Sequence, residues 1–467
     1  MRTHLAKQDL PSPFVQKTSK AQGIAISFLA IGYVLIELFN LAFLENLVSI
    51  LIITVIIGIL PRMNGAVKNI SVLLLVAGIT FMIYYDATLQ QWLESVRSNL
   101  TLVAIFLFSP LMGIPVRTGN YVDSLKLVFS KNMNRPTFFF LGTTLLTHVL
   151  GTVLNVGSIS IVHELSKASK IKAARMVANA INRGFITTVF WSPYFSAMAL
   201  ILSTLPLKWG SIVLYSIGLA VIANIVSFLI EKPYKLRVQD EESGSIHDGN
   251  NLLKKEKRKV VELFFLLFLM IAGILVVEMF TAFSMTLIIC LFSLIFPIIW
   301  CSGKREGTSY IKEIHTHIFT GTPRMKNEIV LFLIAGFFSS SIVHSNISDF
   351  LVDGVNGIFP EGSIAIAYLL SALIVISAVI GLHPIIVVSI LASSINPSMI
   401  GFSPEFYAVL LLSSWGISNT ISPATTVNNI LANLFQSDLM DVSFRWNLKF
   451  ALVMFMIIPL YLKLIGI

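Results

Sequence analysis

The 467-residue chain carries 33 Lys and Arg against 24 Asp and Glu, a net charge of +9, yet only 12% of its residues are charged and 55% are hydrophobic. A water-soluble domain is roughly 25% charged, so a soluble enzyme of this length, with a mean hydropathy of +0.84, is excluded. The basic excess does not imply a nucleic-acid partner, because Lys and Arg lie in short loops between apolar runs long enough to cross a bilayer. The chain reads as an all-α polytopic membrane protein, and its two cysteines exclude a disulfide scaffold or a cysteine metal site.

A spanning helix takes about 20 apolar residues. Residues 1–45 comprise a polar tail with Arg2, Lys7, Lys17 and Lys20, then a first apolar run from 23 to 44. No small-residue cleavage pattern follows that run, so it reads as an uncleaved first helix. Further spans are expected near 46–61, 69–86, 137–164, 176–202, 208–230, 260–279, 283–300, 363–396, 404–434 and 444–465, about eleven in all. Those at 137–164, 363–396 and 404–434 are too long for one straight helix. Two other stretches begin as spans and decay into polar residues. The first, 100–130, contains Ser109-Pro110 and Gly113-Ile114-Pro115; the second, 328–354, contains Gly336, Ser339-Ser340-Ser341 and His344-Ser345-Asn346. Both are expected to be re-entrant hairpins sheltered at membrane depth, with two more ordinary spans as the alternative.

Residues 231–259 hold eight Lys and Arg among Ser, Gly and Asn, and read as a cytosolic linker. On either side lie 46–230, with the hairpin 100–130, and 260–467, with the hairpin 328–354. Three landmarks recur in register. Val103 and Val330 are 227 residues apart, Asn155 and His383 are 228 apart, and Ser192-Pro193 and Ser422-Pro423 are 230 apart. Each copy holds five spans plus a hairpin, and an odd number of spans turns the second copy over, giving two inverted repeats, a transporter architecture. With the N-terminus inside, 25 of the 33 Lys and Arg fall in cytoplasmic loops and seven opposite, while Arg183 lies at a helix start. That split favours a cytoplasmic N-terminus in the cell (inner) membrane. Arg117, Lys126, Lys131 and Arg135, after the first hairpin, fall on the outer side and run against the rule.

Enzyme signatures are missing. His163-Glu164 lacks a second histidine, the position being Lys167, and no nucleophile elbow, Walker A or paired-cysteine motif occurs. His315 and His317 read as solvated loop residues. No catalytic residue and no metal site beyond Na+ at helix breaks is expected.

Long helices interrupted by polar residues are the functional signal. Where a helix unwinds, freed carbonyls coordinate Na+ and half-helix N-termini hold anions. In Thr152-Val153-Leu154-Asn155-Val156-Gly157-Ser158, Gly157 eases a break and Asn155 and Ser158 supply oxygens; the alternative is helix packing through small and polar residues. In Ile380-Gly381-Leu382-His383-Pro384, proline breaks the helix, and His383 either carries a coupling proton or bonds a carbonyl. The richest stretch holds Ser418, Asn419, Thr420, Ser422, Thr425, Thr426 and Asn428, and its counterpart contains Ser192. So many hydroxyls and amides each need a partner, and a hydrated substrate cavity supplies one. Few acids lie within the spans (Glu37, Glu164 and Glu278), which favours an anionic or neutral solute; Arg183 either neutralises it or anchors an interface.

A hairpin, a broken helix with Asn and small residues, and a later Pro/Thr/Asn break together resemble the ion transporter superfamily. That group includes divalent-anion/sodium symporters, arsenite permeases and sodium–proton antiporters. In its symporters a Ser-Asn-Thr after each hairpin binds carboxylate and Na+, and a Thr-Pro-Pro-Asn-like break comes one helix later. By order, Asn155 falls on the Asn of the first motif, and Ile421-Ser422-Pro423-Ala424-Thr425-Thr426-Val427-Asn428 resembles the later break. Leu382-His383-Pro384 stands where the second Ser-Asn-Thr belongs, and the literal Ser418-Asn419-Thr420 sits one helix later. The resemblance, over about residues 100–434, implies an ion-coupled carrier. The expected protein is therefore a secondary transporter of a small, anionic solute by alternating access, with Na+ or H+ as coupling ion and no other cofactor. A cation–proton antiporter and a non-transporting membrane scaffold are the alternatives, and a homodimer is left open.

Overall fold

The computed structural model describes residues 13–119, 121–130, 135–167, 169, 171, 173–235, 250–345 and 347–467, and the regular structure among them is helical. Uncharged runs of Leu, Ile, Val and Phe satisfy their backbone groups in lipid by forming helices. α1 (Pro13–Phe39), α2 (Ala42–Ile59) and α3 (Gly65–Tyr84) are joined by tight turns. A Thr88–Gln91 capping box starts α4 (Leu89–Arg97), which runs on through α5 (Leu100–Phe108), a 3-10 turn at Ser109–Gly113 and α6 (Ile114–Thr118). After α7 (Tyr121–Ser130) come α8 (Pro136–Leu154), α9 (Gly157–Ser166), α10 (Ala174–Val189), α11 (Ser196–Thr204) and α12 (Trp209–Glu231). Much of the expected linker, 236–249, lies outside the described residues, and its last ten positions are already helical in α13 (Asn250–Phe280). The chain continues through α14 (Met285–Gly303), α15 (Gly307–Thr316), a π turn at His317–Gly321, α16 (Thr322–Arg324), α17 (Lys326–His344) and α18 (Ile347–Ile358). It ends with α19 (Ile364–Val379), α20 (Pro384–Ser394), α21 (Pro404–Ile421), α22 (Thr426–Phe435) and α23 (Trp446–Ile465).

Side-chain contacts sort the helix ends onto two faces. The face where α12 ends and α13 begins, the linker face, also holds the start of α1, where Lys326 Nζ donates to Gln22 Oε1 at 3.4 Å. On the opposite face Ser284, at the α13–α14 turn, donates to Glu37 near the end of α1 (2.7 Å), and Glu278 caps the start of α12 (2.8 Å to the Trp209 N–H). Arg117 pairs with Glu313 at 2.8 Å and Tyr121 donates to Glu262 at 2.8 Å, so α6 and α7 sit on the linker face. Burial and the Glu262 carboxylate together push the Tyr121 phenol up.

These contacts move the hairpins. The stretch expected to turn back at 100–130 is the inner part of a 30-residue apolar span, Leu89–Thr118, followed by surface helix α7. Pro110 and Pro115 do not break it, because each sits in the first positions of a new helical turn, where no N–H is needed. The second stretch, expected at 328–354, is α17, a span of 19 residues. Its serines are absorbed by neighbours: Ser340 donates to Ser95 (2.9 Å), Ser339 to the Ser389 carbonyl (2.9 Å) and Ser341 to the Phe338 carbonyl (2.6 Å). The expected polar residue Asn346 lies outside the described residues.

The re-entrant elements are instead α8–α9 and α19–α20, two of the runs that were too long for one helix. At α19–α20, entry and exit lie side by side, with the Gly362 N–H bonding the Ile400 carbonyl at 2.9 Å. Gly362 and Gly401 both have positive φ (+66° and +76°), and a Cβ on Gly401 would stand 2.4 Å from the Gly362 nitrogen, so only glycine permits this closure. At α8–α9, Phe140 in the first turns of α8 lies against Phe228 near the end of α12 (ring centroids 6.2 Å apart), α8 packs on the turn Pro233–Lys235 and α9 packs on α7, all on the linker face. Among the described residues, ten helices are long and apolar enough to cross. Removing α8 from them and adding the two interrupted crossings, α10–α11 and α21–α22, leaves eleven spans and two hairpins among the described residues. The hairpins enter from opposite faces. Arg117, Lys126 and Arg135, which ran against the charge rule, now join the basic linker face, where His317 is also no solvated loop residue. Its Nε2 donates to the Leu107 carbonyl at 2.8 Å, and burial lowers its pKa.

At the centre, α10 is buried without interruption from Met176 to Val189, and α21 is buried from Phe406 to Ile421 except at Asn419. The two cross where the Phe190 ring lies on Gly416; a Cβ there would meet that ring at 2.3 Å.

Candidate functional site

In the first repeat the hairpin tip lies at the interruption of the central crossing; in the second it packs on α21. At the first tip Asn155 adopts φ +50°, ψ −138°, a conformation non-glycine residues avoid. Its Oδ1 accepts the Val156 N–H (2.8 Å), and its carbonyl accepts both the N–H (3.0 Å) and the hydroxyl (2.8 Å) of Ser158. Asn155 and Ser158 thus close the tip on itself, while Gly157 stays exposed. Buried Ser192 ties the α10–α11 break to this tip by donating to the Thr152 carbonyl at 3.2 Å.

In the second repeat the polar run organises the break itself. Fully buried Asn428 donates its amide to the carbonyls of Asn419 (3.0 Å), Thr420 (3.2 Å) and Ser422 (2.8 Å), the orphan acceptors at the end of α21. Its Oδ1 accepts from Asn182 of α10 at 2.6 Å, which joins the repeats. The carbonyls that the sequence offered to Na+ therefore share the donors of this one amide. Thr425 caps α22, accepting the Asn428 N–H at 3.5 Å, and the hydroxyls of Ser418 and Thr420 bond carbonyls three residues back in their own helix (2.7 and 2.6 Å). Asn419 keeps a buried Oδ1 with no partner, and Thr426 is exposed. At the second tip His383 Nδ1 accepts the Ile385 N–H at 3.2 Å, and its ring lies between Phe332 and Trp415 (centroids at 5.2 and 6.3 Å). No hydrogen bond joins Asn155 to Asn419 among the described residues.

Arg183 is fully buried and fully engaged. It pairs with Glu231 at 2.9 Å, donates to Asn447 (2.9 Å) and the Trp446 carbonyl (3.1 Å), and lies 4.8 Å from the Phe450 ring. Arg183 thereby binds α10 to α12 and α23, neither at the membrane interface nor, in this arrangement, free for a solute.

Sequence reasoning missed His148, in the middle of α8. Its Nδ1 lies 2.8 Å from the Thr187 hydroxyl, and its Nε2 accepts the Trp191 indole N–H at 3.1 Å. The Trp191 carbonyl in turn accepts the Trp209 indole N–H at 2.7 Å. An ionisable residue inside an apolar run was the available signal.

The half-helices beyond the breaks differ in exposure. On α9, Gly157, Ser160 and Glu164 form one exposed face; on α22, which packs against α9, Thr426, Asn429 and Asn433 form another. His163 and Phe435 hold the two together, ring centroids 4.7 Å apart. Polar faces at membrane depth are costly against lipid, and α9 and α22 present theirs side by side. Their repeat counterparts, α20 and α11, are closed. No residue of α20 is exposed, and of α11 only Ser203, in its last turn.

No protein-family model matches the sequence, and no curated protein matches it. Among solved structures it is similar to the YdaH transporter of Alcanivorax borkumensis, described as having an unusual topology, with a TM-score of 0.56 at 14% identity over 85% of this chain and 99% of that one. The likeness shows the fold, that of a polytopic membrane transporter.

Proposed function

We propose that the protein is an ion-coupled secondary transporter of a small anionic solute, working by alternating access. The exposed polar faces of α9 and α22, set side by side, carry this reading: in it they line a water-filled vestibule that runs from the linker face to the first tip and the second break. In the same conformation α11 and α20 seal the way to the opposite face. A water path open at one end and closed at the other is what a carrier needs and a scaffold does not. Both open half-helices begin at the breaks, so their positive dipole ends face the deepest part of the vestibule, where they favour an anion. Gly157 and Thr426, exposed at those first turns, let a solute reach the backbone there. The linker face carries the basic residues and is the cytoplasmic one, so this is an inward-open state. Na+ or H+ supplies the gradient. The transporter fold shared with YdaH agrees with this reading.

The test is uptake of labelled small carboxylates and inorganic anions by proteoliposomes under an inward Na+ or pH gradient. Accumulation that collapses with the gradient is the expected result. Failure of every anion to accumulate under either gradient, with correctly folded protein, overturns the proposal.

A further inference from the structure

We infer that His148 Nε2 is the proton-binding site that couples proton uptake to movement of the α10–α11 break, a role that deepens the carrier reading and rests on it. The hydrogen bonds assign the charge state. An indole N–H only donates, so Nε2, which accepts it at 3.1 Å, carries no proton. The ring proton is on Nδ1, and it points to Thr187 Oγ1 at 2.8 Å. That hydroxyl has its own acceptors in the carbonyls of Arg183 and Gly184 (both 3.0 Å) and also receives Asn224 Nδ2 at 3.3 Å. The arrangement closes around neutral imidazole only.

A proton added to the Nε2 lone pair sets two donors against each other, and the Trp191 indole has to leave. Trp191 belongs to the break itself. Its carbonyl is held by Trp209, and the next residue, Ser192, bonds the first hairpin through Thr152. Proton binding at one half-buried nitrogen thereby loosens the junction of hairpin, break and α12. His383 has no such connection, since its Nδ1 caps its own helix.

The surroundings leave the imidazole as the titrating group. Of the elements packed on α8, α10 brings Arg175 at its start and Arg183, which is paired with Glu231 of α12. α9 brings His163 and Glu164, the latter paired with Lys167, and the turn after α12 brings Lys235. The turn Ser109–Gly113 has no charged residue. None of these places a charge against the His148 ring.

The test needs no substrate. Protein labelled with 5-fluorotryptophan gives resonances for its six tryptophans, and Trp191→Phe identifies one of them. From about pH 8 to about pH 3.5, a range that takes in a buried imidazole as well as a free one, the Trp191 signal should follow a single-proton curve. It should be flat in His148→Gln and unchanged in His383→Gln. Gly157→Cys, made without Cys290 and Cys301, reports the tip, and its maleimide labelling, corrected for reagent pH dependence, should change about fivefold or more, as coupled sites do. A Trp191 signal that is flat in the parent protein, or that still titrates in His148→Gln, overturns the inference. So does tip labelling that ignores pH while Trp191 titrates. Thr187→Val, which removes the Nδ1 partner and leaves the imidazole, should shift the Trp191 midpoint, and keeps the test open if His148→Gln misfolds. Either failure leaves the carrier reading standing, because that reading falls only if no solute accumulates.

Discussion

The half-helices α9 and α22 have the same place in their repeats as α20 and α11, yet one pair is solvated and the other packed. Composition accounts for part of this. α22 reads TVNNILANLF and α9 GSISIVHELS, whereas α11 reads SAMALILST and α20 PIIVVSILASS. Packing accounts for the rest. Ser339 donates to the Ser389 carbonyl at 2.9 Å, Asn99 donates to the Ser389 hydroxyl at 3.3 Å, and Ser393 bonds Ser339, so α20 is stitched to α17 and to the start of α5. Helices with the same place in the chain order are thus set apart by their composition and a few hydroxyl contacts. Interhelical hydrogen bonds in membranes average only about 0.6 kcal/mol each, so these contacts hold the closed packing by a small margin.

The comparison breaks most completely if its common anchor is removed. Arg183 and Glu231 hold α10, from which both the break and the Asn182–Asn428 bridge depend. Arg183→Ala leaves a buried carboxylate without its partner, a loss of about 3–5 kcal/mol, and the melting temperature should fall sharply. Glu231→Gln on top of it should recover part of that fall. A substrate-binding arginine predicts the reverse, normal melting with lost affinity.

Accessibility tests the asymmetry directly. Without Cys290 and Cys301, cysteines at Thr426 and Asn429 should label readily from the linker face, and cysteines at Ala199 and Val388 slowly. If local opening of the closed pair costs about 2.7 kcal/mol, the rates differ by about a hundredfold. Equal rates would mean that the closed pair is no barrier.

Asn428→Ala comes next. It leaves three carbonyls and Asn182 short of a partner inside the protein, and should cost about 1–3 kcal/mol of stability. Asn428→Asp keeps the acceptor for Asn182 but loses the amide, so it should be destabilised as well. If either variant melts normally and only solute binding suffers, Asn428 is a ligand rather than a clasp.

Part of this was legible in the sequence. The all-helical spanning architecture and both Ser-Pro breaks are present among the described residues, because apolar length and proline chemistry are local properties. Which segments turn back was not. Pro110 and Pro115 look like breakers, but a 3-10 turn and the start of α6 accommodate both. The turn at Gly362 and Gly401 depends on an approach between residues 39 positions apart, which no local pattern specifies. The charge rule did carry the warning. Arg117, Lys126 and Arg135 were on the wrong side only because the first hairpin was set one segment too early. Candidate ligands were harder still, since a capped break and an ion site use the same residues: Asn428 and Thr425 serve the backbone, while Asn419 and Thr426 are left free.

The smallest expected effect separates hinge from ligand at the first tip. Asn155 has a backbone conformation that glycine adopts without strain, and its side chain bonds only the next N–H. If Asn155 is a hinge, Asn155→Gly relieves strain and loses one weak hydrogen bond, leaving stability within about 0.5 kcal/mol. Asn155→Ala keeps the strain and loses the bond, and should cost about 1–2 kcal/mol. If Oδ1 instead turns into the vestibule to hold solute or Na+, glycine and alanine remove it equally, and both weaken binding by a similar factor whatever their stability. Melting temperature and ligand affinity measured on the same two purified variants therefore give different orderings for the two roles. A tip in which Gly matches the parent protein in both measurements is a hinge, and the solvated pair then owes its binding chemistry to the helix N-termini at Gly157 and Thr426.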